Sequence, residues 1–215
     1  AMQSYLKAED PRDFVQVVEA AEREEFFDEL IVYLRMARTK IKESYIDTEL
    51  LYSLAKKSGL GDLEEFLATP NLANIQGVAD RLFDERLFKC AKLLFASIPN
   101  NSRLASCYVA LGDFQAAIEA ARKANNTKTW KEIASACVAV QEFRVAQLAG
   151  QFVMQQPDHL DDLIQIYEKN GHFSELIALL ESGLGDAKMS HVGMLTELGV
   201  LYAKHKAPKL AEYVK

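Results

Sequence analysis

Apolar residues recur along this chain at two interlocking periods. Within short windows they fall at i, i+3, i+4 and i+7, so segments 14–21, 50–55, 78–83, 104–111, 130–140, 160–167 and 195–202 each carry the single apolar stripe of an amphipathic helix. Across the chain, a bulky apolar anchor followed three positions later by a small or aliphatic residue recurs. It appears at Phe27/Leu30, Leu60/Leu63, Phe88/Ala91, Phe114/Ala117, Phe143/Ala146 and Phe173/Leu176. Successive anchors lie 33, 28, 26, 29 and 30 residues apart, and a weaker Pro208/Ala211 step ends the series.

Each striped segment precedes an anchor, so the repeating unit is a helical hairpin of about 30 residues, too small to hide its own apolar faces. Stacking solves that. The predicted fold is all-α, an α-α superhelix (solenoid) of seven stacked hairpins, the last truncated, running over residues 4–215 as one continuous domain. Residues 1–3 read as a non-native junction. Residues 30–34 would pass for a strand in isolation, but Arg35, Met36 and Arg38 continue a helical face. The anchors Phe27, Leu60, Phe88, Phe114, Phe143 and Phe173 read as core, because they recur at one place in every unit.

Local signals mark the hairpin ends. Thr129-Trp130-Lys131-Glu132 matches a capping box, and Ser58-Gly59 and Asn126-Thr127 sit where helices should stop. A Gly or polar residue before each anchor lets the chain reverse.

Composition narrows the function classes. With 49% hydrophobic and 26% charged residues, five Pro and ten Gly, the chain is built to fold. No apolar run approaches the ~20 residues of a membrane-spanning helix. Cys90, Cys107 and Cys137 are odd in number, far apart and flanked by apolar residues, which suits buried reduced thiols and a cytosolic setting. The net charge of −6 argues against a general nucleic-acid binder.

Basic recognition must therefore be local. Arg122, Lys123, Lys128 and Lys131 cluster around Trp130, the only tryptophan, and Lys204, Lys206 and Lys209 surround His205 and Pro208 in the final turn. A long helical partner crossing successive turns would meet both groups. The plainer reading is that cations near a helix C-terminus complement its dipole and that Trp130 staples one hairpin to the next. The acidic stretch Glu19, Glu22, Glu24, Glu25, Asp28 and Glu29 reads as a solvated face, or as one meeting a basic neighbour.

Catalytic patterns fare poorly. Asp158-His159-Leu160-Asp161-Asp162 gathers three carboxylates and an imidazole, but carboxylates in a first helical turn are favoured by its amide donors. His172, His191 and His205 stand apart, and Gly183-Leu184-Gly185 lacks the rest of a phosphate cradle. The expectation is a non-enzyme with no catalytic residues, no metal and no cofactor.

The strings "SYLKAEDPRDFVQVVEAA", "VYLRMARTKIKESYIDTELLYSLAK" and "LASCYVALGDFQAAIEAARKANNTKTWKEIASACV" resemble the clathrin heavy-chain family, in the proximal part of its leg. The resemblance runs over residues 4–215. It implies a structural strut of the coat, peripheral on coated pits and vesicles at the plasma membrane, trans-Golgi and endosomes. It also implies two partners, the clathrin light chain lying along the inter-helix turns and other heavy-chain legs in the lattice. The adaptor-binding propeller and trimerisation region would lie outside these residues, leaving a monomeric segment of a trimeric protein. The turn Arg23-Glu24-Glu25-Phe26-Phe27 departs from the family in lacking Gly or Asn, and Ser58-Gly59-Leu60-Gly61 carries an extra glycine. The tethering subunits of vacuolar protein sorting share the repeat and are the alternative. A tetratricopeptide adaptor would need a strict 34-residue period, which spacings of 26 to 35 do not keep.

Overall fold

The computed structural model describes residues 11–57, 59–185 and 192–205. Among these residues the chain forms thirteen α-helices joined by short links, without a strand. It folds as two compact units, Ala1–Asn100 and Asn101–Lys215.

In the first unit, α1 (Phe14–Arg23) pairs with α2 (Phe27–Lys40), α3 (Ser44–Lys57) with α4 (Leu60–Ala68), and α5 (Ile75–Asp84) with α6 (Phe88–Ser97). In the second, α7 (Asn101–Ala110) pairs with α8 (Phe114–Ala124) and α9 (Thr127–Ala139) with α10 (Phe143–Met154). A short 3-10 turn, Pro157–His159, leads into α11 (Leu160–Lys169), which pairs with α12 (Phe173–Gly183), and α13 (Val192–His205) follows. Within each unit, first helices pack on first helices, as α3 on α5 and α7 on α9 and α9 on α11. Second helices pack on second helices, as α4 on α6 and α10 on α12. This is the stacking expected of an α-α solenoid.

Five of the hairpin turns share one backbone device. The residue two places before the anchor adopts a left-handed conformation, at Glu25 (φ 59°), Arg86 (63°), Gly112 (76°), Gln141 (63°) and Gly171 (74°). The next amide then reaches back to a carbonyl five residues earlier. Phe26 donates to Ala21, Leu87 to Leu82, Asp113 to Tyr108, Glu142 to Cys137 and His172 to Tyr167, at 2.8–3.0 Å. These are Schellman closures, which satisfy the last carbonyls of the first helix while turning the chain. Glu25 thus fills the place where sequence pattern called for Gly or Asn.

A left-handed conformation costs an L-residue roughly 1–2 kcal/mol, part of which glycine returns through its greater freedom when unfolded. Arg86→Gly and Gln141→Gly should therefore each stabilise the chain by about 0.5–1 kcal/mol in denaturant titration. A loss of stability in either variant would refute the strain.

The anchors are not the constant core. Phe27 is buried, but Phe88, Phe114, Phe143 and Phe173 are only half-buried and Leu60 is 41% exposed. The residues three places on, Leu30, Leu63, Ala91, Ala117, Ala146 and Leu176, are all fully buried. The reason is geometric. Each anchor is the first residue of its helix, and side chains lean toward the N-terminus, so the anchor covers the turn rather than the inter-helix seam. There it makes ring contacts, Phe27 with Tyr52, Phe88 with Phe83, Phe143 with His172 and Phe173 with His205.

Candidate functional site

The basic turn lies between α8 and α9. Arg122 and Lys123 occupy the last turn of α8, whose end is fixed by Asn125 in a left-handed conformation (φ 48°) with its amide donating to the Ala121 carbonyl at 3.0 Å. Asn126 then caps α9, its side-chain oxygen accepting the Lys128 amide at 2.9 Å. Asn126 is the cap, and the predicted capping box at Thr129 is not formed: α9 starts two residues earlier, and Thr129 is buried within it. Two asparagines, one ending a helix and one starting the next, make the reversal.

This link holds Arg122, Lys123 and Lys128 together on an exposed surface, with no ion pair to any of them among the described residues. Arg122 and Lys123 complement the C-terminal dipole of α8. Lys128 has no such reason to be there, since a cation at a helix N-terminus faces the positive end of the dipole.

Trp130 and Lys131 are drawn away from that surface. Trp130 is 4% exposed, its ring stacked on Phe152 of α10 with centroids 4.2 Å apart and planes 6° from parallel. Trp130 is therefore withdrawn as a candidate contact: it faces the interior of its hairpin and serves packing, as the plainer reading has it. Lys131 Nζ lies 2.8 Å from Asp162 Oδ2 and 3.4 Å from His159 Nδ1, tying α9 to α11. That ion pair holds the Asp162 carboxyl below the usual carboxylate range. It also employs residues of the acidic segment whose sequence raised the question of a metal. No group of side chains among the described residues is arranged to hold one. Lys206 and Lys209 lie outside the described residues.

A feature the linear pattern did not isolate adjoins the turn. A cleft of about 510 Å³ belongs to the first unit, but the second unit has its own, about 500 Å³, between α8 and α10. Ile118, Val145 and Leu148 form its floor, and Arg122, Arg144 and Glu142 stand at its rim. The signal was present in part, since Ile118 and Arg122 are four apart and share a helix face, but Arg144 arrives from another hairpin.

Burial disfavours the reactive thiolate at Cys90 and Cys137. Cys107 and Cys137 are buried, burial pushes Cys137 up to about 12, and Cys90 is raised for the same reason. No described helix is long and apolar enough to cross a membrane.

Comparison with known proteins adds the decisive observation. A family described as "Region in Clathrin and VPS" matches residues 5–145 and 153–215. This chain belongs to the clathrin family. A clathrin heavy chain of Dictyostelium discoideum is 49% identical over 214 residues, one of Drosophila melanogaster 48% over 215, and clathrin heavy chain 2 of Homo sapiens 45% over 215. Each alignment covers 100% of this chain and 13% of the relative's length. The stacked hairpins are thus clathrin repeats, and the exposed basic turn is a surface feature of one of them.

Proposed function

We propose that this chain is a leg segment of a clathrin heavy chain, a structural strut of the coat in vesicle transport and endocytosis. One observation carries the reading: identity of 45–49% to clathrin heavy chains is measured over the whole length of this chain. The family also takes in VPS proteins, but the relatives named above are clathrin heavy chains, which favours the coat over a tethering role. In this reading the segment lies in the proximal leg, packs beside other heavy-chain legs, and works peripherally on coated pits and vesicles at the plasma membrane, trans-Golgi and endosomes. It performs no catalysis.

We further propose that a clathrin light chain crosses the turn between α8 and α9, with Arg122, Lys123 and Lys128 as contacts. The support is physical. An acidic helical partner is favoured by exposed cations that form no ion pair among the described residues, and the cleft floor of Ile118, Val145 and Leu148 offers it apolar contact. Calorimetry with a light chain from the same source tests this. Lys123→Glu and Lys128→Glu should each weaken binding roughly 3- to 10-fold, most strongly at low salt. Binding untouched by both reversals would place the seat elsewhere on the leg.

A further inference from the structure

The first unit contains a cluster in which carboxylates outnumber the cation they converge on. Arg81 of α5 reaches Glu22 of α1 (Nη2 to Oε1, 3.1 Å), Glu49 of α3 (Nη1 to Oε2, 3.5 Å) and Glu85, just beyond α5 (Nε to Oε1, 3.5 Å). Its guanidinium carbon lies 3.4 Å from the centre of the Tyr52 ring, which fixes the fork in place. Glu85 has further partners: the Tyr52 hydroxyl donates to it at 2.7 Å and Lys56 Nζ lies 2.9 Å away. Glu22 and Glu49 therefore share what remains of one positive charge. The Glu49 side chain is the more enclosed, 13% exposed against 26% for Glu22.

We propose that Glu22, Glu49 and Arg81 form a proton-operated joint of the first unit: a proton held between the two carboxylates locks α1, α3 and α5 together, and its loss loosens α1 from the other two. The charged groups acting on Glu49 are Glu22 from α1 and Arg81 from α5, and Tyr45 of its own helix feels its charge; beyond them, Glu19 of α1 acts on Tyr45, Tyr52 and Glu85 contact Arg81, and Lys56 pairs with Glu85. Burial raises the Glu49 carboxyl first and the Glu22 charge second; Arg81 opposes both, and the result is a value of about 7 instead of 4.5.

The direction follows from linkage. A carboxyl raised in the folded state binds its proton more tightly there than in the opened chain. The stability it contributes is complete below pH 4.5 and lost as pH rises through about 7. From pH 6 to pH 8 the closed joint should lose about a factor of ten relative to the open one. Glu22, Glu49 and Arg81 come from three helices of three hairpins, so the loss falls on the contacts between hairpins rather than on any one helix.

The test is amide hydrogen exchange by NMR on the 215-residue chain at pH 6 and pH 8, corrected for the intrinsic pH dependence of exchange. Protection of Val17, Val18 and Ala21 in α1 should fall about tenfold. In Glu49→Gln, which copies the neutral form, it should stay level. Level protection in the unmodified chain, or an undiminished fall in Glu49→Gln, would overturn the proposal. A second readout is independent of any folding defect: the carbon resonance of the Glu49 carboxyl should titrate near neutrality and move to lower pH in Glu22→Gln. An ordinary acidic midpoint in the unmodified chain would equally overturn it.

Discussion

Trp130→Ala is expected to lower the stability of the chain by about 3–5 kcal/mol, the cost of removing a large buried aromatic whose site cannot collapse. The indole belongs to a continuous core with Ile133, Ala134 and Cys137 of its own helix, and Phe152 of α10 packs against that core. It also loses the ring stack on Phe152, which adds to the area term. Trp130→Phe keeps a ring there and should cost about 1–2 kcal/mol. The measurement is denaturant unfolding followed by circular dichroism, with tryptophan emission as a check on the unmodified chain. Emission from the sole tryptophan should be blue-shifted when folded and move red on unfolding. A folded, stable Trp130→Ala chain that merely loses light-chain affinity would restore the interface role and contradict the packing one.

Asp47→Ala should have the next largest effect, about 2–4 kcal/mol, because it leaves the Arg38 Nε and a backbone amide without their acceptor. Asp47 is 5% exposed, one oxygen 2.8 Å from Arg38 Nε and the other accepting the Leu72 amide at 2.6 Å. Arg38 in turn donates to the Pro70 carbonyl at 2.6 Å and covers the Phe66 ring at 4.9 Å. Ser44 donates to the Leu72 carbonyl and Thr48 accepts the Asn74 amide. Residues 69–74 link α4 to α5 without regular structure, so these side chains supply the hydrogen bonds that a helix would have given. Asp47→Asn keeps an acceptor and should lose less. If Asp47→Ala and Asp47→Asn both unfold at the denaturant concentration of the unmodified chain, the clamp carries no stability.

The candidate interface was legible only in part. Arg122, Lys123 and Lys128 are adjacent in sequence and the asparagine pair between them marks the turn, so their clustering is a local property. Trp130 misled because its neighbours on the chain are polar, whereas its exposure is decided by Phe152, a residue of the next helix. Lys131 resembles the other cations in sequence and differs from them only through Asp162, 31 positions on.

The amino-acid sequence by itself determined the helical period, the hairpin repeat and the all-α class, because each depends on residues within a turn or two of one another. Tertiary structure decided which of those apolar positions are core. The first residue of each second helix leans over the turn, while the third beyond it meets the facing helix; Leu60 and Leu63 show the difference. It also decided where backbone strain falls, since Glu25, Arg86 and Gln141 accept a left-handed conformation that closure of the hairpin imposes on them. Gly150 makes the same point: a Cβ there would come within 2.6 Å of Leu179 on α12, a demand made by a helix approaching from another hairpin. The three-helix meeting at Arg81 is likewise invisible along the chain. Glu85 is a local neighbour four residues on, but Glu22 and Glu49 arrive from other hairpins, and only packing brings their charges within reach of the same guanidinium.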